Sequence, residues 1–515
     1  MNRRIRNLGV AFIVLYTVLF VQLNRVQFVD AEDYKEHEGN VRPQLRAFGQ
    51  ERGDIVTADG VVAARSVPVE AGEIDFRRAY PTDELYAHVV GYQSFNQGAF
   101  GLEREYNDQL AGARLDQQFD SLKDLFVDRD TTGTVVMTLR DDIQRAAASA
   151  LGERKGSVVA VDPATGEILA MWTYPSFDPN LLSGLDGAAV NAAYQSLLDD
   201  PDDPLLAKAF REVFFPGSTF KLVTAAAALD IAGITLTDPV WPETDRYEPL
   251  PSGSAIRNFG GSVCGGDLRL ALQRSCNATF AEIGAEWLGP DAMVRTAEKF
   301  AFNTAPVIDL PDAVRSRFPT DYGDYIADLD SYQPGGSADL PNGDTPIHEN
   351  SAILAQTAIG QNDVKATPLQ MAMVAAAIAN DGQMMAPHVV SEVRAADGGV
   401  YDSVDTSVWR RSLSPFAAGQ LREAMVNVVQ NGTATAMQVP GLEVGGKTGT
   451  AQLGTTPASS HAWVVGFAGP PGEPAEIAVA VIVEAQPGAS EQTGGTVAAP
   501  IARAVIEAAS GLGSG

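Results

Sequence analysis

The chain has 515 residues, 45% of them hydrophobic and 20% charged, a composition that suits a globular protein able to bury more than one core. Its 65 acidic side chains against 37 basic ones leave a net charge of −28, which argues against a nucleic-acid partner, because binding phosphate requires Lys and Arg. Two cysteines and five histidines (His37, His88, His348, His388, His461), none in ligating spacing, argue against a metal, and no cofactor motif is present.

Arg3, Arg4 and Arg6 precede an apolar run from Leu8 to Val21 that continues weakly to Val29. A positive N-terminus before an apolar segment of ~20 residues predicts a helix inserted with its N-terminus in the cytoplasm and the rest of the chain exported. The expectation is a tail over 1–7 and a membrane anchor over 8–28. A cleaved signal peptide competes, with Val29-Asp30-Ala31 as a loose cleavage site. That site lies far beyond the apolar run, which favours an uncleaved anchor.

Residues 29–150 combine short apolar segments, many charges and several turn signals, and read as a non-catalytic scaffold. Arg52 to Val56 before Asp59-Gly60 predicts a strand and tight turn, and Gly98 to Arg104 a loop entering a helix over 103–110. A second domain, 151–515, opens after an Ala-rich helix, Asp141 to Leu151. The runs 157–161 and 168–172 flank Asp162-Pro163-Ala164-Thr165-Gly166 and predict a β-hairpin. Leu268 to Trp287 reads as one helix containing Ser275, and 302–350, rich in Asp, Pro and Gly, as an irregular surface insertion. Residues 368–380 predict a buried helix stopped at Asp381-Gly382, and 498–509 a closing helix. Between them, 445–451, 462–467 and 477–483 predict strands joined by tight turns and paired antiparallel. The whole suggests an α+β fold, with one antiparallel sheet between helices.

Phe214-Phe215-Pro216-Gly217-Ser218-Thr219-Phe220-Lys221 carries the chemistry. Pro and Gly break what precedes them, and the Ala/Leu run after Lys221 is strongly helix-forming. Ser218 therefore sits at a helix start, with Lys221 one turn on along the same face. A serine hydroxyl needs a base beside it, and a lysine serves if burial and nearby cations lower its pKa. Alone, S-x-x-K could be a capping serine and a surface lysine. Two further motifs follow in order: Ser275-Cys276-Asn277, then Lys447-Thr448-Gly449 with Thr450. A second S-x-N, Ser94-Phe95-Asn96, precedes the nucleophile and reads as chance. Cys264 and Cys276 could close a short loop as a disulfide in an exported protein, or stay as two buried thiols.

S-x-x-K, S-x-N and K-T-G in this order resemble the penicillin-interacting serine acyltransferases. With Arg52-Gly53, Gly101-Leu102-Glu103, Thr367-Pro368-Leu369-Gln370 and His461-Ala462-Trp463, the chain resembles class B penicillin-binding proteins, most closely the actinobacterial penicillin-binding protein A type. The resemblance covers nearly the whole chain. It implies a membrane anchor, an elongated pedestal over 29–150 and an extracytoplasmic domain that cross-links peptidoglycan stem peptides. Ser218 would be the nucleophile and Lys221 its base, with Ser275 and Lys447 relaying a proton to the departing D-alanine. Asn277 would hold the substrate amide, and Thr448, Gly449 and Thr450 would line the carboxylate site. β-Lactams would acylate Ser218, and a membrane glycan polymerase would be a partner. A D,D-carboxypeptidase differs only in its acceptor. A class D β-lactamase would lack the scaffold and anchor, and a β-lactam sensor would not need every chemical residue.

Overall fold

A computed structural model of the protein describes residues 2–25, 48–70, 74–112, 132–250, 253–328, 346–455, 459–485 and 492–512. Asn2–Asn24 is a single helix, and its stretch Arg6–Asn24, mean hydropathy 1.7, is long and apolar enough to cross a membrane. The remaining expected anchor residues, 26–28, and Val29-Asp30-Ala31 lie outside the described residues.

The N-terminal region is built on a six-stranded sheet. Ile55–Val56, the strand expected after Arg52, pairs antiparallel with Val62–Pro68 and parallel with Gly133–Met137. The tight turn forms at Gly60, whose N–H meets Thr57 O at 2.9 Å. Helix 103–110 is instead two single turns, Leu102–Glu105 and Asn107–Leu110. Two strands of this sheet, Val390–Ala395 and Val400–Ser403, come from far along the chain, where the sequence reading assigned nothing. Glu103, fully buried, holds the layer together: Arg52 donates to it at 3.1 Å, and Arg78 donates to its other oxygen. Gly53 lies so close to Gly133 that a side chain would meet the carbonyl oxygen at 2.0 Å. The residues here that carried the family resemblance are therefore packing residues.

The C-terminal region has a five-stranded sheet of β1 (Gly156–Val161), β2 (Ile168–Tyr174), β3 (Glu443–Gln452), β4 (Ser460–Gly469) and β5 (Ile477–Val483). The spatial order is β3-β4-β5-β1-β2, with every neighbouring pair antiparallel. β1 and β5 are buried at every position, which is why they read as unbroken apolar runs and not as alternation. Five helices matter to this sheet: α1 (Asp141–Leu151), α2 (Lys221–Asp230), α3 (Pro368–Ala379), α4 (Pro415–Asn431) and α5 (Ala499–Ala509). α1 and α5 pack together on one face, and α3 covers β4, β5 and β1 on the other. Thr367 caps α3, its Oγ1 accepting from Gln370 N at 3.0 Å, and Pro368 fills the first turn. All twelve α3 residues are buried, and the chain leaves the helix through Asp381 and Gly382, both at positive φ. β3 is an edge strand, flanked by α4 and by the turn that carries Ser218.

Two further sequence expectations need correction. Leu268 to Trp287 is not one helix: it stops at Arg274, Ser275 turns left-handed at φ 59°, and helix resumes over Asn277–Glu282. Residues 302–350 are not merely surface. Phe302 and Phe318 are buried against Phe220, with ring centroids 5.4 and 5.3 Å away, and Tyr325–Asp328 pairs with Pro346–His348. Residues 329–345 of that stretch lie outside the described residues.

Candidate active site

Ser218 lies in a tight 3-10 turn, Gly217–Phe220, that feeds directly into α2. Gly217 takes φ 52°, and a side chain there would stand 3.1 Å from Thr450 O, so glycine lets this turn nest against β3. Its N–H donates to Gly360 O at 3.0 Å, and Thr224 Oγ1, one turn into α2, donates to Ala358 O at 2.6 Å. Phe220 is clamped between Phe302 and Phe318. Every α2 residue from Lys221 to Leu229 is buried, whereas Ser218 is half-buried. The nucleophile candidate thus sits on a rigid support and stays reachable.

Lys221 and Lys447 meet at Ser275. Lys447 Nζ lies 2.8 Å from Ser275 Oγ and donates to Thr448 O at 2.9 Å. Lys221 Nζ lies 3.3 Å from Ser275 Oγ and donates at 2.7 Å to both Ser275 O and Asn277 Oδ1. Both lysines are fully buried. Burial, and then the charge of Lys447, hold Lys221 well below the usual lysine range, and burial draws Lys447 down to about 7. A neutral Lys221 has two N–H bonds, which the carbonyls of Ser275 and Asn277 occupy, and one lone pair left to accept a proton. The other end of Asn277 is also held, its Nδ2 donating to Arg257 O at 2.9 Å.

The left-handed turn at Ser275 makes this meeting possible, and a disulfide pins it. Cys264 and Cys276 are bonded to each other, with Cα atoms 5.9 Å apart, so the residue between Ser275 and Asn277 is tied to the short strand Cys264–Gly266. From sequence alone this bond is open. Sequence reasoning misses Thr433 altogether. Thr433 Oγ1 lies 2.6 Å from Thr448 Oγ1, and nearby Asn431 O accepts from Gln273 Nε2 at 2.9 Å. The segment 431–433 therefore touches the K-T-G strand on one side and the helix leading to Ser275 on the other. Asn431-Gly432 is a turn signal in front of β3, but nothing in it announces the hydroxyl contact. The extra S-x-N lies elsewhere in the fold: Asn96 donates to Gly187 O at 3.1 Å and Asn191 Oδ1 at 3.2 Å.

Residues 156–507 match the model of the penicillin binding protein transpeptidase domain, and 52–136 that of the penicillin binding protein A dimerisation domain. The chain is 36% identical over 528 residues, spanning 100% of both proteins, to the peptidoglycan D,D-transpeptidase PbpA of Mycolicibacterium smegmatis. It is 37% identical, over 99% of both, to the PbpA of Mycobacterium tuberculosis. Among solved structures it resembles penicillin-binding protein A from M. tuberculosis as a ceftriaxone acyl-enzyme complex, with a TM-score of 0.78 and 35% identity over 90% of this chain and 99% of that one. The imipenem acyl-enzyme complex of the same protein matches at 0.77, with the same identity and coverage. By these matches, and by the three motifs that the fold brings together inside the matched region, the chain belongs to the penicillin-binding protein transpeptidase family.

Proposed function

We propose that the protein is a serine D,D-transpeptidase of peptidoglycan synthesis. Ser218 Oγ attacks the carbonyl between the two terminal D-alanines of a stem peptide, and Lys221 takes its proton. The backbone N–H groups of Ser218 and Thr450 stabilise the oxyanion, one from the turn and one from edge strand β3. Ser275, between the two lysines, passes a proton to the D-alanine nitrogen as the C–N bond breaks. Thr448 and Thr450, beside Lys447, bind the terminal carboxylate, and Asn277 orients the peptide amide. An amine of a second stem peptide then attacks the ester, forming the cross-link and freeing Ser218. A β-lactam ring opens on Ser218 by the same first step.

The convergence of Lys221 and Lys447 on Ser275, both dehydrated, is the observation that carries this reading. The apolar N-terminal helix supports a single-pass anchor with the rest of the chain outside the membrane, and the matched regions 52–136 and 156–507 support a pedestal over 29–150 and a transpeptidase domain over 151–515. Working at the membrane, the enzyme would act beside a glycan polymerase that lays down its substrate. Fluorescent penicillin should label the protein stably and fail to label Ser218→Ala. Labelling retained in that variant would refute the mechanism, and rapid loss of label from the wild type would point to a β-lactamase.

A further inference from the structure

The outer face of the segment leading into Ser218 carries cations that the reaction above does not use. Phe214 and Ala366 exchange backbone hydrogen bonds of 2.9 and 2.8 Å, and Arg317 and Lys365 do the same at 2.7 and 2.9 Å. Residues directly opposite in an antiparallel bridge project to the same face, so Arg317 and Lys365 stand side by side. Phe214 and Ala366 alternate onto the inner face, where Phe214 meets His461 and Trp463 with ring centroids 5.5 and 6.3 Å away. On the outer face Lys365 Nζ lies 3.1 Å from the centre of the Phe215 ring. Arg315, two residues before Arg317, is exposed like it, while Ser316 between them is buried and accepts from Thr367 N.

Among the described residues, Arg315, Arg317 and Lys365 make no ion pair. Asp363 acts on Lys365 only through space, and Asp312 is taken up with Arg104 and Arg211 at 3.7 and 3.9 Å. Like charges set directly opposite are destabilising. In a chain with net charge −28, carboxylates are plentiful, yet among the described residues none forms an ion pair with these three cations. Such an arrangement suits an anion that comes from outside.

We propose that Arg315, Arg317 and Lys365 form a subsite for a carboxylate-bearing side chain of the peptide whose end reacts at Ser218. The inference rests on the reading of Ser218 as the acylated nucleophile. Phe215 is three residues from Ser218, a span of at most roughly 11 Å. An extended peptide covers that distance in about three residues, so the recognised carboxylate lies two to four residues from the bond that breaks, and the proposal sets it on the side before that bond. Guanidinium groups match carboxylate geometry, and Lys365, steadied on the Phe215 ring, adds a point charge. Phosphate on a lipid or wall polymer would feel the same field, but the position beside the nucleophile turn favours the peptide.

The test is calorimetric titration of the full-length Ser218→Ala protein with two pentapeptides ending in D-Ala-D-Ala. One carries a free side-chain carboxylate three residues before the scissile bond, and the other has that group amidated. The free acid is expected to bind about tenfold more tightly, the size of one charge-assisted hydrogen bond. Adding Arg317→Gln and Lys365→Gln, or raising the salt, should erase the preference. Equal binding of the two peptides by the parent, or a preference that survives the double substitution, would overturn the proposal. Binding of phosphatidylglycerol vesicles that depends on the same residues, with no discrimination between peptides, would also overturn it and assign the face to phosphate. Thermal unfolding and penicillin labelling of the double variant with Ser218 restored report that it is folded. Failure of the underlying reading shows separately, as penicillin labelling that survives Ser218→Ala, and would remove the placement of the subsite with it.

Discussion

Replacing Lys221 should separate catalysis from stability. Its ammonium position is fully buried, and it donates to Ser275 O and Asn277 Oδ1 at 2.7 Å each. Lys221→Met leaves those two acceptors without a donor, at about 1–3 kcal/mol each where water cannot reach. It also removes a dehydrated amine and, for the protonated form, its repulsion with Lys447, which acts in the opposite direction. The melting temperature should therefore move by only a few degrees. The acylation rate should fall by about 10²- to 10⁴-fold, the usual worth of a general base. Lys221→Arg is the sharper variant, because a guanidinium keeps hydrogen-bond donors at this position but stays protonated and has no lone pair to take the serine proton. It should acylate as poorly as the Met variant. For the wild type the sign in pH follows: acylation slows as pH falls through the depressed pKa of Lys221, since the ammonium form has no lone pair. A time course with fluorescent penicillin, beside thermal melts, measures all of this. Acylation of Lys221→Arg within tenfold of wild type would refute a base at this position.

Three further changes probe the surrounding structure. Thr433→Val removes the hydroxyl 2.6 Å from Thr448 Oγ1 and should weaken carboxylate binding by about 1 kcal/mol, seen as a raised KM with kcat little changed. Thr433→Ser should restore it, and an unchanged KM in the valine variant would remove Thr433 from the site. Reducing the Cys264–Cys276 bond, whose partners are 12 residues apart, should cost about 3 kcal/mol on the chain-entropy account and slow acylation, because Cys276 adjoins Ser275. Acylation unchanged by reduction would confine the bond to stability. Glu103→Gln should destabilise the N-terminal layer by about 3 kcal/mol, read by denaturant unfolding. Burial pushes the Glu103 carboxyl up, but Arg78 and Arg52 outweigh it and hold the group below its usual value. Its contribution is thus present above about pH 4.3, the unfolded value, and lost as pH falls through the folded one. A glutamine variant as acid-sensitive as the wild type would contradict this.

The turn at Ser218, the helix that starts at Lys221 and the strands around Lys447 are legible because local chemistry demands them. Pro-Gly has to break the chain, an Ala/Leu run has to coil, and strands covered on both faces have to be apolar throughout. Contacts between distant segments leave no such trace. Strand Val390–Ala395 completes a sheet begun at Ile55, and Phe318 supports Phe220 from within a stretch whose Asp, Pro and Gly content looked like surface. Ser275 is the instructive failure. Nothing in Leu272-Gln273-Arg274-Ser275-Cys276-Asn277 signals the end of a helix, so the sequence reading ran the helix through it. The break comes from tertiary structure: Lys221 captures the Ser275 carbonyl, the disulfide holds Cys276, and Asn258 Oδ1 accepts from Ala278 N at 2.9 Å at the restart. In a continuous helix the Ser275 carbonyl would point down the axis toward the fourth N–H on, and the hydroxyl could not lie between two lysines. A left-handed non-glycine residue costs about 1–3 kcal/mol, and such strain persists only where the surroundings over-determine it. Here three separate elements do so, and together they set the serine between Lys221 and Lys447.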